Sequence, residues 1–476
     1  MGPGSTSTQL VKSATSVSEG VTKDGNVIFY DTTTKNLSYV PVAGGTPATV
    51  GAWDNSSFVM SGPSYDVALY WNGASQTTPP AIGALSVWTK AGGNHVIASA
   101  SFAGYVDVSP DSKYVLYIDH ATTTSAEVYV AGADGSNPTQ LVTGAAYSAT
   151  ATTTSCNPAL KFIGDYAVVA WCPSGVTSDA GNLSATITAW NLVGSTWTAG
   201  TPFSTAGFNG FNGSDDGTQI EYVTAGGEYV SPIGGGTAKL IDANGGGGIF
   251  THDGANLLYL DQTGVLWRSP IGTPVPVQVA AGPFAGFLTS QAGGFLGVLP
   301  GLSSDDSYLL MASVYGTSST FLSDVYITST AAGSTAKHLV TTALGALMGD
   351  AFTADNHYAT FYQNVTLQGT SSYVGDYDDI ALNPLASMPT DFAMLVWQNY
   401  SAATGSKTIY NDNYQAGSNN GRADIKVKDL SSNNPPTLIA QQADANIFIT
   451  GDRGTIVYSW NVCAGGQTGV WATPVP

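Results

Sequence analysis

The stretch Gly104-Tyr-Val-Asp-Val-Ser-Pro-Asp-Ser-Lys-Tyr-Val-Leu-Tyr-Ile118 decides the fold. Two short runs of β-branched and aromatic residues flank the tetrapeptide Ser109-Pro-Asp111-Ser112. Such runs form strands, and a hydroxyl followed two residues later by a carboxylate caps the backbone N–H groups of a tight turn. The same pattern returns as Thr22-Lys-Asp24-Gly25, Ser214-Asp-Asp216-Gly217, Thr251-His-Asp253-Gly254, Ser304-Asp-Asp306-Ser307, Thr353-Ala-Asp355-Asn356 and Thr450-Gly-Asp452-Arg453, each before an apolar run. Between the central Asp residues lie 37, 53 and 49 positions from Asp216 through Asp253 and Asp306 to Asp355. The other intervals, 87, 105 and 97, are about double. Each long interval holds a degenerate copy: Trp53-Asp54-Asn55-Ser56, Ile163-Gly164-Asp165-Tyr166 and Thr404-Gly405-Ser406-Lys407.

Around each turn the chain reads as four strands. In the third unit they are Gly104–Val108, Tyr114–Ile118, Glu127–Ala131 and Thr139–Val142. No segment has the 3.6-residue periodicity of an amphipathic helix. Four-stranded units repeating every 40–50 residues are the mark of a β-propeller, whose blades bury their faces by stacking. The expected fold is all-β: a single propeller of four-stranded blades over residues 7–476, with eight to ten blades and ten the best count. Residues 1–6, beginning Met1-Gly-Pro-Gly-Ser5, read as an expression scar. The last unit lacks a fourth strand before Pro476, and Thr8-Gln-Leu-Val-Lys12 matches the fourth strand Thr139-Gln-Leu-Val142. The N-terminal strand is therefore expected to complete the last blade and close the ring.

The Ser-Pro-Asp-Ser turn, with the third-strand pattern Val-Tyr-Val-Ala before Asp-Gly, resembles the WD40-like (PD40) repeats of TolB-type propellers. The resemblance covers the repeats alone, since nothing in the chain supplies TolB's α/β domain. It implies a secreted, periplasmic or envelope-associated interaction scaffold; the scar at Met1–Ser5 is expected to replace a removed native signal.

Composition narrows the function further. The chain has 33 acids against 14 bases, a net charge of −19, and only three arginines, Arg268, Arg422 and Arg453. Nucleic-acid and anionic-membrane surfaces both require clustered cations. No apolar run approaches the length of a membrane helix. No G-x-S-x-G elbow marks a hydrolase nucleophile, and Gly405-Ser406-Lys407-Thr408 lacks P-loop spacing. His95, His120, His252, His338 and His357 fall in different units, so no metal site is predicted.

Cys156 and Cys172 flank a hairpin turning at Gly164-Asp165, which places them opposite each other. Two readings stay open there, a disulfide and a pair of buried thiols; Cys463 is left over. Second strands often finish in Asp or Asn, at Asp31, Asn72, Asp119, Asp261, Asn364, Asp412 and Asn461. These read either as strand-terminating caps or as a polar ring suited to a ligand or calcium. Arg422 and Asp424 read as a structural ion pair. The loops after the second strands are long and unlike one another, as a binding face would be. Trp71, Asp119, His120, Asp412, Tyr414 and Trp460 are the expected ligand contacts there. The expected protein is a monomeric, non-catalytic scaffold for a protein or carbohydrate ligand, requiring no cofactor. The alternative is a glycosidase or lyase with acids or histidines near the propeller axis.

Overall fold

A computed structural model of the chain describes residues 6–13, 15–55, 59–62, 64–74, 81–122, 124–146, 158–172, 184–206, 210–282, 284, 301–315, 322–343, 350–368, 372–396, 398–416, 421–460 and 468–476. Regular structure among them is β only, arranged as ten antiparallel sheets in chain order. Blades 1 to 7 span residues 16–52, 59–102, 106–146, 159–206, 211–242, 245–280 and 301–343. Blade 8 spans 358–396, blade 9 spans 399–444, and blade 10 joins residues 447–474 to Thr8–Lys12. Most blades have four strands. Blade 4 gains a fifth at Phe203–Ala206, and the innermost strand of blade 8 is reduced to a bridge between Phe352 and Ala359.

The repeated turn joins the innermost strand to the second. In all seven clear copies the Ser or Thr hydroxyl donates to the Asp carboxylate at 2.5–2.7 Å. The fourth residue of each turn donates its N–H to the carbonyl of the hydroxyl residue at 2.7–3.0 Å. That fourth residue has positive φ in every copy, from Gly25 at 76° to Arg453 at 55°. One copy is shifted from its expected register. Ser303, not Ser304, donates to Asp305, and Asp306 takes the positive φ. The tandem Ser-Ser-Asp-Asp offers two registers, and Ser303 N–H bonding to the Tyr308 carbonyl selects the one that aligns the strands. The copies at Gly164-Asp165 and Thr404–Lys407 are inner turns as expected. Trp53–Ser56 is not. It precedes blade 2, whose inner turn lies between Val59–Met60 and Val67–Asn72.

Each blade-to-blade interface holds its own apolar cluster, giving ten around the ring. The one that closes it joins Val21, Val27 and Phe29 of blade 1 to Leu10, Val457 and Val470 of blade 10. The chain thus forms one ring of ten blades. Thr8–Lys12 is the outer strand of blade 10, running antiparallel to Gly469–Pro474 with Thr8 opposite Ala472 and Lys12 opposite Gly469. Gly469 is needed there, because a Cβ would lie 1.8 Å from the Val11 carbonyl oxygen.

A chain beginning at residue 13 keeps every other strand but loses this closure. Leu10, 7% exposed, alone represents about 1.5–3 kcal/mol of burial. The truncated chain is expected to melt several degrees lower by calorimetry, and an unchanged melt would show that closure does not depend on this strand.

Candidate functional site

The inner turns do more than cap themselves, since neighbouring turns bond to one another. The Asp24 N–H donates to Asp66 Oδ1 at 2.8 Å, and the Asp66 N–H to Ser112 Oγ at 3.0 Å, linking blades 1, 2 and 3. His252 of blade 6 meets Asp306 of blade 7, with Nδ1 at 2.6 Å from Oδ1. Asn356 Nδ2 donates to Ser304 Oγ at 2.8 Å between blades 8 and 7. Ser406 Oγ donates to Asp355 Oδ2 at 2.6 Å between blades 9 and 8. Arg453 of blade 10 donates to the Ser401 hydroxyl at 2.7 Å and carbonyl at 3.1 Å, and forms an ion pair with Asp350. One guanidinium thus ties blades 8, 9 and 10, and Asp350 holds it firmly protonated.

The contacts of His252, of Asn356 with Ser304, and of Arg453 with Ser401 and Asp350 rim a cavity of about 660 Å³. Its lining comes from the innermost segments of five consecutive blades: His252, Leu302, Phe352, Ser401 and Arg453 each represent one. Among the described residues Asp350 is its only lining carboxylate, and it is already engaged by Arg453. A second cavity, of about 430 Å³, contains Asp305, Asp355 and His357. Both carboxyls sit below the usual range, because hydroxyl and backbone donors outweigh their burial. They remain ionised acceptors, whereas a general acid needs a raised pKa.

Raised carboxyls occur elsewhere. Glu221 and Glu228, on adjacent strands of blade 5, are fully buried. They lie against the innermost strand of blade 6, which opens with four glycines, Gly245–Gly248. A Cβ at Gly245 would meet the Glu228 Cβ at 2.5 Å, and one at Gly248 would lie 2.8 Å from its Oε1. The glycines therefore make room for the carboxyls. Burial pushes both acids well up, and the Glu228 charge raises Glu221 further. On blade 8, burial and then the nearby Asp391 push Asp378 up to about 7. Burial alone raises Asp379, to about 6.

The expected ligand contacts are distributed over four blades, at or just beyond the ends of second strands. Three are packing residues. Trp71 is wholly buried between blades 2 and 3, Tyr414 is packed beside Val374 and Ala423, and Trp460 is buried between blades 9 and 10. Their expected exposure is corrected: the ends of the second strands still lie within the interblade cores, which need large side chains. Asp119 accepts from the backbone N–H groups of Ser99, Ala100 and His120, joining blade 3 to blade 2. Asp412 is buried and pairs with Lys426 at 2.7 Å. His120 is the exposed member, with a side chain 60% accessible and Nδ1 3.2 Å from Glu127. Asp31 and Asp261 cap the loops that follow them, as the structural reading of the strand-end acids requires. Arg422 and Asp424 do not pair. Asp424 instead accepts from Asn413 and the Gln442 N–H, and the bidentate role expected of a rare arginine belongs to Arg453.

Cys172 is buried and disulfide-bonded. Cys156 and Cys463 lie outside the described residues, as does Asn461 and most of the long second-to-third loops. Four of the five histidines, His120, His252, His338 and His357, each face a carboxylate on their own or the next blade, and His95 Nε2 lies 2.8 Å from the Gly92 carbonyl oxygen. Among the described residues no group of three or more His, Cys, Asp or Glu is disposed to hold a metal, and no helix is long and apolar enough to cross a membrane. The inner-rim cavity escaped sequence reading, since its lining is drawn from five repeats. The available signal was the non-glycine residues at fourth turn positions.

No protein-family model matches the chain, and no curated protein matches it. Solved structures do resemble it. The tricorn protease aligns over 97% of this chain at 10% identity with a TM-score of 0.33, and the chain spans about half, 52%, of that structure. TolB from Acinetobacter baumannii aligns over 66% of this chain and 61% of its own length, at 15% identity and a TM-score of 0.27. The C-terminal WD40 domain of Sif2 aligns over 78% of this chain and 95% of its own, at 13% identity and a TM-score of 0.38.

The raised acids make stability pH-dependent. The native state keeps protons on Glu221, Glu228 and Asp378 that the unfolded chain releases above the ordinary carboxyl range, about pH 4–4.5. The contribution of these acids is therefore most favourable below that range and is lost as pH rises from the ordinary carboxyl values to the raised native ones. The melting temperature should fall from pH 5 to pH 8, and Glu228→Gln, which mimics the protonated side chain, should flatten the fall. Asp134→Asn removes an exposed charge and controls for the overall negative charge. Equal slopes for wild type and Glu228→Gln would refute the assignment.

Proposed function

We propose that this chain is a non-catalytic binding scaffold of the TolB-like kind, secreted or exposed in the cell envelope, which docks a protein or glycan ligand on its ring. One observation carries the reading: the charged groups at the inner-rim cavity are already satisfied by one another. Arg453 is held by Asp350 and Ser401, and His252 by Asp306. A pre-bonded, rigid rim drawn from five blades suits recognition, which gains from groups that need no reordering. A nucleophile or general acid would need a free, tuned group instead. The Cys172 disulfide agrees with an oxidising compartment, and we assign Cys156 as its partner.

The test uses the full chain immobilised against a glycan array and against a native envelope extract. Ala354 is exposed at the cavity and occupies the second turn position, so Ala354→Trp fills the mouth without removing a rim bond. It should weaken capture by about tenfold or more, while His120→Ala on the opposite face should not. The reverse pattern would move docking to the long-loop face. Cleavage of a captured glycan would overturn the non-catalytic reading.

A further inference from the structure

A third cavity, of about 540 Å³ and on the same face as the inner turns, lies outward among blades 2, 3 and 4. Its floor is aromatic. Trp197 stands edge-to-face with Tyr114, ring centres 5.3 Å apart at 89°, and leans on Phe162 at 6.3 Å. Trp197 sits on the outer strand Thr196–Ala199 and is partly exposed. This departs from the chain's usual treatment of tryptophan. Trp53, Trp71, Trp88, Trp190, Trp460 and Trp471 are all at most 9% exposed. Of the other partly exposed tryptophans described, Trp267 spends its indole N–H on Asp261 and Trp171 packs against the apolar cluster between blades 3 and 4.

The walls around Trp197 are polar. Asp134, Ser136 and Asn137 come from the turn between the third and fourth strands of blade 3, and Lys113 from its inner turn. The Ser136 hydroxyl, and then its N–H at 3.0 Å from Oδ1, donate to the Asp134 carboxylate, which fixes it and holds it below its ordinary range. Lys113 is tied to Asp111 at 2.9 Å. One anchored anion and one anchored cation leave the lining without a net charge. An indole face beside short hydroxyl, amide and carboxylate groups matches one ligand chemistry well. The apolar C–H face of a sugar ring stacks on the indole while its hydroxyls reach the polar wall.

We propose that this groove is a binding subsite for a neutral saccharide, with Trp197 as the stacking platform and Asp134, Ser136 and Asn137 as hydroxyl-recognising groups. The inference deepens the scaffold reading and rests on it only in expecting binding without turnover. A charged glycan would leave its charge unmatched in this lining, and a phosphate-bearing ligand would meet the field of a chain with net charge −19.

The test titrates the intact protein with the hexasaccharides of cellulose, xylan, β-1,3-glucan and starch, following tryptophan fluorescence and calorimetric heat. At least one should bind and protect Trp197 from oxidation by N-bromosuccinimide. Trp197→Ala should raise its dissociation constant about tenfold or more, and Trp197→Phe should recover part of the loss. Because Trp197 also packs on Tyr114, Asn137→Gly provides a variant at an exposed position, removing the amide while accepting that residue's positive φ of 50°. It should weaken binding with an unchanged melting temperature. Binding unaffected by both Trp197→Ala and Asn137→Gly, or absence of binding to all four probes, overturns the subsite. The products are examined in parallel: cleavage of a bound hexasaccharide that remains Trp197-dependent would defeat the scaffold reading while leaving the subsite intact.

Discussion

The hydrogen bond from a Ser or Thr hydroxyl to the Asp two residues on is the constraint from which the rest of the ring follows. It closes each inner turn and fixes where the second strand begins, five residues after the hydroxyl in most copies, as between Ser109 and Tyr114. It also forces the fourth turn residue into positive φ, a conformation that costs an ordinary residue roughly 1 kcal/mol. Glycine accepts this without strain at Gly25, Gly217 and Gly254. Elsewhere the position holds Ser112, Asp306, Asn356 or Arg453, and each of these reaches the preceding blade. The strained position is therefore also the coupling position. Turn chemistry, local in origin, becomes a chain of contacts around the inner rim.

Packing and closure build on that frame. Every interface has its own apolar cluster, so removing one blade would expose two. The N-terminal strand meets the last blade across almost the full length of the chain, making closure the longest-range pairing in the molecule and the one with the greatest loop-closure cost. Blade 5 departs from the apolar rule. There Glu221 and Glu228 occupy core positions opposite the glycine run of blade 6. The cost of burying them is met by holding protons, which connects the packing of a single interface to the acidity of the surroundings.

The fold was legible because its signals are local or countable. The hydroxyl-x-Asp turn spans a few residues, the four-strand rhythm recurs, and the missing last strand could be matched to Thr8–Lys12. Register failed only where the sequence repeats itself, at Ser303-Ser304-Asp305-Asp306, and at Trp53–Ser56, where an Asp-Asn pair serves a linker between blades. The site was much less legible. Trp71, Tyr414 and Trp460 stand beside polar loops in the sequence, yet a strand end in a propeller still faces the neighbouring blade. Arg422 and Asp424 are two positions apart on one strand, but cross-strand and loop partners take Asp424 instead. The inner-rim cavity draws on residues roughly 50 positions apart, brought together by ring geometry that no local pattern encodes.

Replacing the motif aspartates one at a time tests the central claim most directly. Urea unfolding of Asp111→Ala, Asp216→Ala and Asp452→Ala would be compared with Asp165→Ala, which alters a degenerate turn. The account predicts that each motif variant loses about 1–2 kcal/mol, the worth of a lost backbone cap, while Asp165→Ala loses much less. Losses equal to that of Asp165→Ala would show that the repeated hydroxyl–carboxylate bond is ornament on a ring held by its apolar interfaces alone.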